Sequence, residues 1–138
     1  MNTRRRLVLA LGAGALAAPL AAFAQQKSAK VARIGFLGAS SAAAFASLVE
    51  ALRAGLRDLG YVEGKNIVIE YRWAEGKYER LPGLAAELVR LNLDVILAAG
   101  SPAVQAARRA TTTLPIVMVG AGDPVGTGFV ARSATCFD

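Results

Sequence analysis

The 138 residues contain no histidine and one cysteine, Cys136. The commonest general base and the commonest metal ligand are therefore both missing. No Ser-His-Asp or Cys-His site can be assembled, and neither a metal nor a cofactor is expected. What remains is a set of hydroxyls and one carboxylate in short loops of small residues: Ser40 and Ser41 in Gly38-Ala39-Ser40-Ser41, Ser101 in Gly100-Ser101-Pro102-Ala103, and Asp123 in Gly120-Ala121-Gly122-Asp123. Small side chains leave room for a solute and expose backbone N–H groups. Two of these loops lead into helical patterns, and a helix N-terminus offers unpaired N–H groups and partial positive charge, which suits a carboxylate. The chemistry implied is non-covalent capture of an amino acid or a short carboxylic acid, with Ser40, Ser41, Ser101, Ala103 and Asp123 as candidate contacts.

Each candidate also has a purely structural reading. Ser101 before Pro102 fits a helix N-cap with proline at the first helical position. Ser40, Ser41 and Asp123-Pro124 fit turns, and Tyr71 and Trp73 fit packing against an edge rather than stacking on a solute. Gly120-x-Gly122 is too short for a dinucleotide fingerprint, and no Gly-x-Gly-x-x-Gly follows the first strand.

The elements that carry these loops are legible from periodicity. Val31 to Leu37 is a short apolar run that reads as a buried strand. Phe45, Leu48, Val49, Leu52, Leu56 and Leu59 then recur at helical spacing, with Gly60 placed for a left-handed C-terminal cap. Ile67 to Arg72 reads as a second strand. A second helix is expected from Tyr78 to Leu91, with Pro82 in its first turn. Val95 to Ala99 is a third strand, Ala103 to Ala110 a third helix, and Ile116 to Val119 a fourth strand. Strands alternating with helices over short connections, with near-continuous apolar runs as strands, predict an α/β fold: a doubly wound parallel sheet with helices on both faces. In such sheets ligands collect beyond the carboxyl ends of the strands, where all three loops fall.

Residues 1–24 are expected to lie outside this domain. Arg4-Arg5-Arg6 form a positive n-region, Leu7 to Ala18 an apolar run, and Ala22-Phe23-Ala24 a small-x-small cleavage pattern, which together read as a secretory signal peptide cleaved near Ala24. The apolar run is too short to span a bilayer, and no cysteine near the cleavage site would take a lipid, so no stable membrane anchor is expected after cleavage. Thr3-Arg4-Arg5-Arg6-Leu7-Val8 also loosely fits a twin-arginine signal, leaving the export route open. Without those three arginines, the +6 charge of the whole chain falls to +3, from 13 basic and 10 acidic residues. These are interspersed, with no basic stripe and no interleaved aromatics, so nucleic-acid binding is not expected.

Leu59-Gly60-Tyr61-Val62-Glu63-Gly64-Lys65-Asn66-Ile67-Val68-Ile69-Glu70-Tyr71-Arg72-Trp73-Ala74-Glu75-Gly76 closely resembles a segment of the substrate-binding proteins of bacterial ABC importers, in the tryptophan/tyrosine-type branch. Gly100-Ser101-Pro102-Ala103 and Pro115 to Val119, running into Gly122-Asp123-Pro124-Val125, resemble the same family. The resemblance implies a type I periplasmic-binding-protein fold of two α/β lobes, with residues 25–131 as the N-terminal lobe. It also implies a non-enzymatic receptor that captures a small solute in the periplasm and delivers it to an inner-membrane ABC permease. The other readings are an enzyme on a doubly wound domain and a sensory ligand-binding module without a transport role. Residues 132–138 depart from the family's usual continuation and are expected to reflect truncation or a frameshift. A lone lobe with an exposed sheet edge is expected to be prone to aggregation.

Overall fold

A computed structural model describes residues 30–129. The chain divides into two compact units between Lys30 and Val31, and the architecture that follows belongs to the second. The expected signal peptide, its cleavage site and the departing tail with Cys136 lie outside the described residues.

Four strands, β1 (Ala32–Gly38), β2 (Ile67–Trp73), β3 (Val95–Ala99) and β4 (Ile116–Val119), alternate with helices α1 (Ala46–Asp58), α2 (Leu81–Val89) and α3 (Ser101–Ala110). All strand pairs are parallel, in the order β2-β1-β3-β4. From β1 the chain steps outward to β2, then returns past β1 to β3. Right-handed crossovers in opposite directions place their helices on opposite faces. Accordingly α1 packs on Phe36, Ile69, Leu97 and Ala99, whereas α2 and α3 pack on Leu37, Ile96 and Ala98. The reversal makes a topological switch point between β1 and β3.

Local chemistry explains where the elements stop. Gly60 takes φ 86°, its N–H donates to the Arg57 carbonyl, and the Tyr61 N–H donates to the Leu56 carbonyl, so α1 ends in the Schellman motif that the glycine predicted. Leu59, counted in the apolar stripe, lies past the helix end and is 75% exposed. The second helical stretch is shorter than expected: a 3₁₀ turn over Tyr78–Arg80 leads into α2, which stops at Val89, and Asn92 then takes a left-handed φ of 51°. At the amino end of the sheet, Asp94 closes the β1–β3 junction. Its carboxylate accepts the Arg33 N–H at 2.9 Å, and its own N–H donates to the Arg33 carbonyl at 2.8 Å.

No helix among the described residues is long and apolar enough to cross a membrane. Both β2 and β4 are edge strands, and Val117 on β4 is half exposed.

Candidate functional site

The carboxyl ends of the four strands form one edge, and backbone hydrogen bonds lace their loops together. The Ala39 N–H donates to the Ala99 carbonyl at 3.1 Å, and the Gly100 N–H to the Val119 carbonyl at 2.9 Å. On the other flank the Glu75 and Gly76 N–H groups donate to the Ser40 and Ala39 carbonyls at 3.2 and 3.0 Å. Such close approach requires small residues. A Cβ at Gly100, whose φ is 92°, would stand 3.2 Å from the Ala39 Cβ, and one at Gly38 would stand 2.5 Å from the Trp73 ring. The small-residue loops are thus the condition for all four strand ends to meet.

The structure places the five candidates differently. Ser101 does not cap α3. Gly100 occupies the cap position with no side-chain cap bond, and Ser101 is already helical. Its hydroxyl oxygen instead accepts the Gly122 N–H at 3.2 Å, tying the start of α3 to the loop after β4. The left-handed turn at Gly100 starts the helix one residue earlier than the serine-cap pattern implies, and this frees the hydroxyl. Its O–H remains available to donate. Ala103 is fully buried, backbone as well as methyl, so it offers no accessible atom to a ligand in this conformation.

Ser41 is half-buried and engaged locally: its hydroxyl accepts the Ala44 N–H at 3.2 Å and its carbonyl accepts the Phe45 N–H at 3.3 Å. The Ala46 N–H donates to the Ala43 carbonyl. Of the first donors of α1 the Ala46 N–H is consumed by the turn that precedes it, while those of Ser47 and Leu48 engage no acceptor among the described residues. Ser40 holds the β2 loop through its carbonyl. Asp123 builds a turn, its carboxylate accepting the Val125 N–H at 3.0 Å and its carbonyl accepting the Thr127 hydroxyl at 2.7 Å. A Cβ at Gly126 would run into that carboxylate. A fourth strand-end loop, Ala74 to Lys77, joins the same edge. Glu75 there takes a left-handed φ of 56° and pairs with Arg80 at 3.8 Å. The signal for it was Gly76 beside Glu75, a tight-turn pair.

The first turn of α3 lies at the switch point. The initial N–H groups of a helix have no intrahelical acceptor. Here Pro102 has no N–H, the Val104 N–H is bonded to the Gly100 carbonyl at 3.1 Å, and those of Ser101 and Ala103 engage no acceptor among the described residues. The Ser101 N–H, its hydroxyl and the positive end of the helix dipole lie beside the switch point, a donor set suited to a carboxylate. Among the described residues no cluster of three acidic or thiol side chains could hold a metal ion.

Known proteins share this fold. The family model for ABC transporter substrate-binding proteins matches residues 33–135. A tyrosine-binding protein of Clostridioides difficile is 37% identical over 75 residues, which are 54% of this chain and 22% of that protein. A conserved domain protein of Vibrio cholerae superposes with a TM-score of 0.70 at 33% identity, covering 75% of this chain and 35% of that one. An ABC domain from Streptococcus pneumoniae in complex with L-Trp superposes with a TM-score of 0.68 at 27% identity, covering 73% and 34%. The chain thus spans about a fifth to a third of the length of the relatives it matches. The sheet order, the strand-end loops and the match over residues 33–135 lead to one conclusion: the chain belongs to the ABC transporter substrate-binding protein family.

Proposed function

We propose that residues 25–131 form the N-terminal lobe of a periplasmic receptor for an amino acid or small carboxylate, and that this lobe supplies one wall of a solute cleft. The observation that carries the reading is the unpartnered Ser101 N–H beside the Ser101 hydroxyl, in the first turn of α3 at the switch point. The carboxylate would accept from these donors, while Ser40, Ser41 and Asp123 on the flanking loops border the solute. That one relative is a tyrosine-binding protein and another an ABC domain in complex with L-Trp supports an amino acid with a free carboxylate as the ligand class. In the full receptor, ligand contacts with both walls would shift an open–closed equilibrium toward the closed form. An inner-membrane ABC permease would recognise that form. The arginine-rich start of the chain supports export. The family is one of binding proteins rather than enzymes, and the chemistry offered is capture without bond cleavage.

Titration calorimetry of the chain with L-tyrosine and L-tryptophan tests this. Saturable heat, lost in Ser101→Ala, with the solute recovered unchanged, is the expected result. Absence of saturable heat with either solute, or conversion of the solute, would overturn it.

A further inference from the structure

The two edges of the sheet are finished differently. On β2 the side chains facing α2 are charged: Glu70 and Arg72 stand 3.7 Å apart, and Arg72 also binds Glu87 of α2 at 3.0 Å. Charges at an edge discourage pairing with a further strand. The other edge, Ile116-Val117-Met118-Val119 of β4, has no charged residue, no internal proline and no bulge. The Ile96 N–H donates to the Pro115 carbonyl and the Gly100 N–H to the Val119 carbonyl, both at 2.9 Å, so Pro115, Val117 and Val119 face β3. The N–H and C=O groups of the alternate residues Ile116 and Met118 therefore point outward, where no described strand pairs with them. The loop after β4 leaves that edge clear. It turns over the α3 face, where Phe129 lies 5.6 Å from the Arg108 guanidinium. Val117, on the α1 face beside Leu97, is 49% exposed.

We propose that two copies of this chain pair through β4, antiparallel across a two-fold axis at Val117. In that register Ile116 of each copy lies opposite Met118 of the other, and each such pair exchanges both backbone bonds, so every outward group of the strand is used. Val117 meets Val117 of the second copy as a non-hydrogen-bonded pair, the closer kind, and two β-branched side chains cover one another. The neighbouring two-fold registers are poorer. One needs Leu114, whose N–H already donates to the Thr111 hydroxyl oxygen at 3.2 Å, and the other needs Gly120, whose φ of 59° takes it out of the strand. Charge agrees with the antiparallel sense. Arg108 lies with Ile116 at the amino end of β4 and Asp123 follows the carboxyl end, so opposite charges of the two copies come together, whereas a parallel pair would set like beside like. The contact is also closed: it uses both β4 edges and leaves only the charged β2 edges outside, so assembly stops at two copies rather than running on into a fibre. It holds whether or not the strand-end loops bind an amino acid.

Sedimentation equilibrium of the full chain from about 5 to about 500 μM tests this, since a two-copy assembly depends on concentration. The expected result is a monomer–dimer equilibrium. Val117→Lys sets two ammonium groups against each other on the axis and should weaken the dimer at least about tenfold, with circular dichroism unchanged. A second pair of variants reads the register. In a Cys136→Ser background, Val117→Cys should cross-link two copies through a disulfide on mild oxidation, because opposed positions of a non-hydrogen-bonded pair lie within disulfide reach. Val119→Cys, opposite Pro115 of the second copy, should not. A monomer at every concentration, or assemblies that keep growing, would overturn the proposal. So would an undiminished dimer in folded Val117→Lys, or equal cross-linking at the two positions.

Discussion

The two faces of the sheet are built to different standards. The face under α2 and α3 is aliphatic and closed: Leu37, Leu81, Leu88, Ile96 and Val104 are fully buried there, and Ala85, Ala98, Ala103 and Ala107 let two helices sit close to the strands and to each other. The face under α1 is aromatic and only partly roofed. Phe36 is its one fully buried large side chain, while Phe45, Tyr71, Trp73, Leu48, Leu52 and Leu56 remain partly open. One helix cannot cover four strands. The difference teaches where stability resides: the closed face holds the sheet, and the open face leaves its large side chains only partly covered.

Truncation should expose that contrast most strongly. Leu88→Ala empties a fully buried position on the closed face and should cost about 2–5 kcal/mol, whereas Leu52→Ala on the open face should cost about 1 kcal/mol. Urea unfolding of both variants gives the comparison, and equal losses would erase it. Gly38→Ala is the next largest effect. Its new methyl meets the Trp73 ring at 2.5–2.6 Å, so the ring must shift, at a cost of about 1–3 kcal/mol and with a changed tryptophan emission. The Arg53–Glu63 ion pair matters less. With Arg53 and Glu63 side chains 39% and 35% exposed, Arg53→Met should cost under about 1 kcal/mol, and the difference should shrink further at high salt.

Tyr71→Phe is the smallest at neutral pH and the most informative at alkaline pH. Removing a buried hydroxyl that lacks a partner should be nearly neutral at pH 7. Burial, reinforced by the nearby Glu63 carboxylate and opposed by Arg53, raises the Tyr71 pKa above its ordinary value of 10.0. The unfolded chain therefore loses its tyrosine proton first as pH rises. Stability from Tyr71 is fully present below about pH 10 and is lost as pH climbs through the higher folded value. Alkaline melting curves should fall less steeply for Tyr71→Phe than for the parent chain. Identical alkaline slopes would contradict the burial argument.

Periodicity made the alternation of strands and helices legible, and Gly60 announced the end of α1 because only a left-handed cap explains a glycine there. The start of α3 was misplaced by one residue. Ser101-Pro102 looks like a cap and a first helical residue, but Gly100 is free to take φ 92°, and a bond from Gly122, 21 positions away, claims the serine hydroxyl. No local pattern contains that bond. Ser41 and Asp123 were visible as polar residues in the right loops, yet their commitment to turns depends on backbone geometry that types alone do not carry. The aromatic contacts of the open face were illegible for a related reason. Phe36 of β1 meets Tyr71 and Trp73 of β2, much later in the chain, and only the parallel register of the two strands brings them together.

The central claim is that the Ser101 N–H and hydroxyl at the start of α3 receive a carboxylate, and amide NMR on the full chain tests it most directly. On titration with L-tyrosine, the Ser101 and Gly122 amides should shift saturably, while Arg33 and Asp94 at the opposite edge of the sheet stay put. Tyramine, which lacks the carboxylate, should leave all of them unmoved. An unshifted Ser101 amide, or equal shifts with tyramine, would contradict the account.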